Sequence, residues 1–267
     1  MLESTLTYIF ASQWRVLPVC LVLLVAVTEL GYHFGLKLHR ADDGARKGQI
    51  AGIQGAILGL LALLLGFTFA LAVQRYETRR TLVVEEANAI STTYLRAGFL
   101  SDEQSAAVKS LLRRYADARI EYYEAGQNET EILAAEDQAA VIQAELWTHA
   151  VAAAKEAPNP VVATFITSLN ELIDLDATRL NALRTHVPGA VWIILVVVAG
   201  CGCYVSGYGS GASGARTTFS SFVLPVLIAL VISLISDIDR PRGGLISIKQ
   251  QPMFDLQDAI SSDVSPQ

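Results

Sequence analysis

Cysteine is scarce in this chain, and where it occurs it offers no chemistry. Cys20, Cys201 and Cys203 all fall inside apolar runs, and their spacing matches no zinc or redox motif. Inside a bilayer such thiols act as small apolar side chains, so no metal centre is expected and no cofactor is implied. Clustered base is also missing. Between Glu121 and Glu145 there are seven carboxylates and no Lys or Arg, which disfavours nucleic acid as a partner because phosphate binding needs grouped Lys and Arg. A nucleophile with a paired His and a phosphate-cradling glycine loop are absent too, so an enzyme is not the expected reading. The first apolar run is preceded by MLESTLTYIFASQW, with Glu3 and no base before Arg15. With no small-x-small cleavage site after it, that run reads as a retained span and not a signal peptide.

What the chain has in quantity is apolar length. Of 267 residues 52% are hydrophobic and 17% charged, and the mean hydropathy is +0.40, a balance found in integral membrane proteins. Four runs, 16–36, 51–73, 190–207 and 217–235, each approach the ~20 residues that cross a hydrocarbon core. The second continues without proline to Leu100. Residues 51–100 therefore read as one helix of about 70 Å, roughly twice the thickness of the bilayer core, that leaves the membrane and enters water.

Between the second and third runs the periodicity predicts a helical bundle. The emerging helix repeats apolar residues at Val83, Ala87, Ile90, Tyr94 and Ala97 and ends near Gly98, so one stripe is buried. Ser101 with Gln104 predicts a capping box for a second helix with Val108, Leu111, Leu112, Tyr115 and Ile120 inward, ending at Gly126. Asn128 with Glu131 caps a third, carrying Ile132, Ala139, Ile142, Leu146 and Ala150 to the break at Pro158. Asn159-Pro160 opens a fourth, with Val161, Phe165, Leu169, Leu172, Ile173 and Leu180 inward. Four antiparallel helices return the chain to the membrane, where Pro188 opens the third span. The segment GYGSGASGAR at 207–216 reads as a flexible loop, and Asp237 to Gly244 as a helix break. A tail with Leu245, Ile246, Ile248 and Pro252 follows, and 261–267 reads as disordered.

Charge divides the same way. Residues 75–186 hold 11 Lys/Arg and 17 Asp/Glu, so this region alone accounts for the net −6. Arg15, Arg75, Arg79, Arg80, Arg184, Arg240, Arg242 and Lys249 lie near span ends on one side, against Lys37, Arg40, Arg46, Lys47 and Arg216 on the other. The excess of base puts both termini and the bundle in the cytoplasm.

Candidate functional residues lie chiefly in the second span. Gly52, Gly59 and Gly66 recur every seven residues, with Gly55, Ala56, Ala62 and Ala70 near the same stripe, a pattern that suits close helix packing or room around a narrow pore. Ile57, Leu61, Leu64 and Thr68 occupy another face and could form an apolar constriction. Glu29 sits inside the first span with His33 one turn on, where an ionisable group costs a few kcal/mol unless it is paired or snorkels. In the collar, Glu77 can meet Arg80, while Arg75 and Arg79 share a face; headgroup anchoring is the plainest role for this group. Glu85 and Glu86 beside Asn88 read as helix surface or intersubunit contacts.

The stretch LALLLGFTFALAVQRYETR at 61–79 resembles the second span of the bestrophins, with an apolar run, Leu-Gly-Phe, and then Arg-aromatic and Glu-x-Arg. More closely, RYETRRTLVVEEANAISTTY at 75–94 and DRPRGG at 239–244 resemble the bacterial bestrophin-like family long described as a domain of unknown function. The first likeness covers about twenty residues and the second nearly the whole chain. One departure stands out: the aromatic pair usual after the bestrophin arginine is Tyr76-Glu77 here. Bestrophins are pentameric anion channels in which the second span lines a hydrophobic neck and both termini are cytosolic. The resemblance implies that Leu61, Leu64, Leu65 and the Gly66-Phe67 pair form such a neck, in a bacterial inner membrane.

The expected architecture is all-α: four transmembrane helices with an extramembrane antiparallel helical bundle inserted between the second and third spans. Its parts are a first span and loop (1–50), the second span continuing into the bundle (51–186), the third and fourth spans (187–238) and a tail (239–267). The expected function is a bestrophin-like channel or pore, a homo-oligomer in membrane lipid, gated through the long second helix. The competing reading is a sensor or scaffold whose bundle binds a ligand or partner.

Overall fold

The computed structural model describes residues 13–37, 44–214, 218–240, 242 and 244–262. The readings made above for the N-terminal segment 1–12, Arg40, Arg216, Thr217, Pro241, Gly243 and 263–267 lie outside these residues, as do the side chains of Arg46 and Lys47. Every regular element among the described residues is helical: α1 Gln13–Lys37, α2 Gly44–Ala97, α3 Asp102–Glu124, α4 Glu129–Glu156, α5 Pro160–Arg184, α6 Gly189–Ala212, α7 Thr218–Ile238 and α8 Gln251–Ser262. Four candidate spans, long and apolar enough to cross a membrane, begin at Arg15, Gly48, Pro160 and Ser221; the third takes in α5 and α6. The all-α, four-span fold is thus present. α2 is 54 residues long, about 80 Å at 1.5 Å per residue.

The chain forms two compact units. The first, Met1–Arg75 with His186–Ile246, has a core of Val16, Cys20 and Leu24 from α1, Leu61 from α2, Leu195, Ala199 and Cys203 from α6, and Ile228, Ala229 and Ile232 from α7. The second, Tyr76–Thr185 with Ser247–Gln267, surrounds Ile90, Tyr94, Val108, Leu112, Tyr115, Ile142, Leu146, Phe165, Leu169 and Leu172. Their inward repeats match the amphipathic spacing, except that Val161 is exposed and Val162 takes the buried place. Asn128 accepts from the Thr130 N–H at 3.2 Å, and Asn159 accepts from Val161 and Val162 at 2.9 and 3.0 Å, so both caps form as their residues require. Ser101 occupies its N-cap position but makes no side-chain cap, and Gln104 donates instead to Glu156 at 2.8 Å. The capping box gives way to a contact between helices.

Two expectations are corrected. Residues 207–212 are helix and not loop; the chain turns only at Ser213 and Gly214, where φ is +71°. The glycines that read as flexible are the means of contact. A Cβ on Gly207 would stand 2.0 Å from the Thr28 carbonyl oxygen, and one on Gly211 2.2 Å from that of Tyr32. Reciprocally, a Cβ on Gly31 would meet the Tyr204 oxygen at 2.2 Å and one on Gly35 the Tyr208 oxygen at 2.3 Å. Two Gly-x-x-x-Gly pairs therefore interlock α1 and α6 backbone to backbone, the close approach that small residues permit between membrane helices. The tail is likewise ordered where it read as irregular: α8 holds Pro252 in its first turn, where a missing N–H costs nothing. It places Met253, Leu256 and Ile260 in the core of the second unit, and Ser261 and Ser262 belong to it.

Gly207→Ala should lower stability by about 1–3 kcal/mol because no rotamer relieves a backbone clash, whereas Gly200→Ala, whose Cβ meets open space, should change it by less than about 0.5 kcal/mol. Denaturation midpoints of the two purified variants check this.

Candidate pore wall and buried charge network

From Gly52 to Ala97 the residues of α2 divide into a buried and an exposed set, and the division explains where each candidate residue goes. On the inner face Leu61, Thr68, Ala72, Arg79, Val83, Glu86, Ile90, Thr93 and Ala97 are all buried. The outer face runs through Gly52, Ala56, Gly59, Leu63, Gly66, Phe67, Ala70, Gln74, Glu77, Thr81, Val84, Asn88 and Leu95, all exposed, at the spacing that keeps one side of a 3.6-residue helix outward. Leu61 is therefore core and not open wall. Thr68 turns its hydroxyl back to the Leu64 carbonyl at 2.8 Å, and Ile57, Leu64 and Leu65 are half-buried. The expected neck divides: Leu61, Leu64 and Leu65 face helices of their own unit, while Gly66 and Phe67 face out, Phe67 at 62% exposure. No heavy atom lies within 4 Å of a Cβ built on Gly52, Gly59 or Gly66, so among the described residues no other helix packs on these glycines.

The collar divides the same way. Arg80 pairs with Glu77 at 3.6 Å on the exposed side, as an i,i+3 neighbour should. Arg79 does not reach toward headgroups; it is buried and donates through Nε to the Ala182 carbonyl at 3.0 Å and through Nη2 to that of Thr185 at 2.7 Å. A cation on the last carbonyls of α5 satisfies groups that the helix itself cannot. Arg75 lies 3.6 Å from Asp239, and Glu29 is half-buried.

Glu86 overturns its surface reading. Its side chain has no exposure and lies between two buried arginines: Arg119 Nε donates to Oε1 at 2.6 Å, and Arg179 Nη1 donates to Oε2. Arg119 continues to Asp176 at 2.7 Å and stacks over the Tyr122 ring at 5.1 Å. Arg179 Nη2 donates to Gln250 Oε1 at 2.5 Å, and Gln143 donates to Asp176 at 2.8 Å. Two arginines stand against two carboxylates, so each of these buried groups has one of opposite charge beside it. Tyr115, donating toward Glu86 at 3.5 Å, is pushed up to about 12 chiefly by desolvation. Sequence spacing put Glu85 and Glu86 side by side; only the inward phase of Val83, Ile90 and Ala97 marks Glu86 as the buried one.

A family model, the Bestrophin-like domain, matches residues 19–253. The chain belongs to the bestrophin-like family. Among curated proteins none matches its sequence. Solved structures share the fold: a single-substitution variant of a bacterial bestrophin homolog from Klebsiella pneumoniae aligns with TM-score 0.70 at 15% identity, over 94% of this chain and 99% of that one. A second variant of the Klebsiella homolog gives 0.67 at 16%, covering 94% and 98%. A structure described as a membrane protein gives 0.66 at 17%, covering 96% and 99%. With four apolar helices of spanning length, this bestrophin-like chain fits an integral membrane protein.

The tail motif that suggested the family has a definite job. Asp237, at the end of α7 and 1% exposed, accepts from the Leu245 and Ile246 N–H groups at 2.9 and 3.0 Å. Asp239 accepts from the Val187 N–H at 3.0 Å. Gly244 has to be glycine because a Cβ would stand 2.0 Å from Asp237 Oδ1. Asp237 holds the bestrophin-like tail by its own backbone, while Asp239 ties the end of α7 to the segment before α6.

Asp237→Ala should cost about 1–2 kcal/mol by removing the acceptor of two part-buried N–H groups, read as a lowered denaturation midpoint. The phenol of Tyr115, raised in the folded state from 10 to about 12, contributes stability that is intact below pH 10 and lost as pH rises through about 12. Tyr115→Phe should remove that alkaline loss, together with one tyrosine titrating near 12 in an absorbance titration.

Proposed function

We propose that the protein is an ion channel of the bacterial inner membrane, assembled from several copies around the outer face of α2, five if it follows the bestrophins. The termini and the second unit lie in the cytoplasm in this reading. The observation that carries it is the unbroken outer stripe of one helix. From Gly52 to Ala70 that stripe is small or apolar, and beyond Arg75 it bears Glu77, Thr81, Glu85 and Asn88.

A stripe whose glycines Gly52, Gly59 and Gly66 meet no other helix among the described residues can border a path only when other copies complete the ring. Leu63 and Phe67 then supply an apolar constriction of the kind that gates by dewetting, and Gly59 and Gly66 leave it wide enough to wet. Bestrophin likeness points to anions. The charge of this chain favours cations, since Glu85 and Glu171 share a groove with Asn88 and Thr92 and carboxylates concentrate counter-ions of opposite sign.

Purified protein in liposomes should pass ions. Gly66→Leu should reduce the flux by about tenfold or more by narrowing the apolar stretch, and the reversal potential in a salt gradient should take the sign of cation conduction. No flux under any ion gradient would overturn the channel, and a reversal potential of anion sign would overturn the cation assignment alone.

A further inference from the structure

We propose that Glu86 is the positioning residue of the pore helix: held between Arg119 and Arg179, its carboxylate fixes the rotation of α2 and so decides which residues of that helix face outward. This rests on the channel reading of α2.

Apolar contacts specify rotation loosely. Around Glu86 the inner face is built from Leu82, Val83, Ala87, Ala89 and Ile90, and such residues exchange places with modest loss so long as volume is kept. A carboxylate gripped by both oxygens is different. Oε1 is taken by α3 through Arg119 and Oε2 by α5 through Arg179, and both arginines are held in turn, by Asp176 and by Gln250. Turning α2 by one residue would withdraw the carboxylate from both: Arg119 would keep Asp176, but Arg179 would be left buried beside the neutral Gln250, a penalty no repacking of methyl groups offsets. A buried ion cluster adds little stability over apolar residues of the same volume, so register is the role left to it. The setting is carried along the helix: residues 67–97 contain neither Gly nor Pro, and the span from Phe67 to Glu86 is a stiff rod of about 30 Å.

The test reads rotation and conduction separately. In a Cys201→Ser background, Gln74→Cys on the outer face and Ala72→Cys on the inner face are labelled with a water-soluble thiol reagent in liposomes. With Glu86 intact the outer thiol should react faster. Glu86→Asp keeps the charge but is one methylene too short to reach both arginines, and Glu86→Gln with Arg179→Gln removes one charge of each sign, so that folding does not have to tolerate an unpaired ion. In both backgrounds the ratio of outer to inner labelling should fall by at least about fivefold, and unitary conductance should change with it, because other residues of α2 then border the path. An unchanged labelling ratio in both, whatever happens to thermal stability, overturns the positioning role. Absent conductance in the protein with Glu86 intact sinks the channel reading while leaving the labelling result to be judged on its own.

Discussion

A helix of 54 residues has to find partners for two faces, and that requirement organises everything described for this chain. The inner face of α2 is covered twice: by apolar side chains of α1, α6 and α7 in the first unit and by the bundle helices in the second. Among the described residues no other helix packs on its outer glycines Gly52, Gly59 and Gly66. In a bilayer an apolar outer face costs little, because lipid tails are as apolar as leucine. A stripe of glycine and alanine is nevertheless a poor surface to offer to lipid and a good one to offer to another helix or to a narrow aqueous path. Beyond the apolar stretch the same face turns polar and acidic, so the helix presents one surface to two solvents.

The first unit uses glycine where a soluble protein would use a hydrophobic seam. Gly31 and Gly35 against Gly207 and Gly211 bring carbonyls and α-carbons into direct contact, replacing side-chain burial, which has no driving force between lipid-immersed helices, with dispersion and weak Cα–H contacts. The second unit has the opposite device, an ion cluster in an apolar bundle. Glu86, Arg119, Asp176 and Arg179 come from three helices, and Gln250 from the segment that leads into α8. A cluster drawn from that many places forms only when all of them are in register, which makes it a check on the assembled bundle more than a source of stability.

Much of this was legible in the amino-acid order. The four apolar runs, the caps at Asn128 and Asn159, the Pro188 entry to α6 and the inward repeats of the bundle are local patterns, and local patterns report local structure. Three features escaped such reading. Glycine is common in loops, so 207–211 reads as one; the four-residue spacing of Gly207 and Gly211, repeated at Gly31 and Gly35, is the signal for helix contact. Pro252 suggests a break and hides α8, although Met253, Leu256 and Ile260 recur at helical steps. Glu86 reads as helix surface or an intersubunit contact because carboxylates rarely lie inside, and no sequence spacing announces that Arg119 and Arg179, 33 and 93 residues away, lie against it.

What the sequence by itself determined is therefore the set of helices, the membrane character and the family, since hydrophobic period, capping residues and a contiguous motif are properties of neighbours along the chain. What only the tertiary structure decided is which face of the second helix is in and which is out. Leu61 and Phe67 are equally apolar and six residues apart, and nothing in their local context distinguishes core from wall. The difference arises because α1, α6 and α7, distant in sequence, pack in the first unit against Leu61 and not against Phe67, and such packing depends on contacts, among them the glycines that join α1 to α6 backbone to backbone, that exist only once the chain has folded.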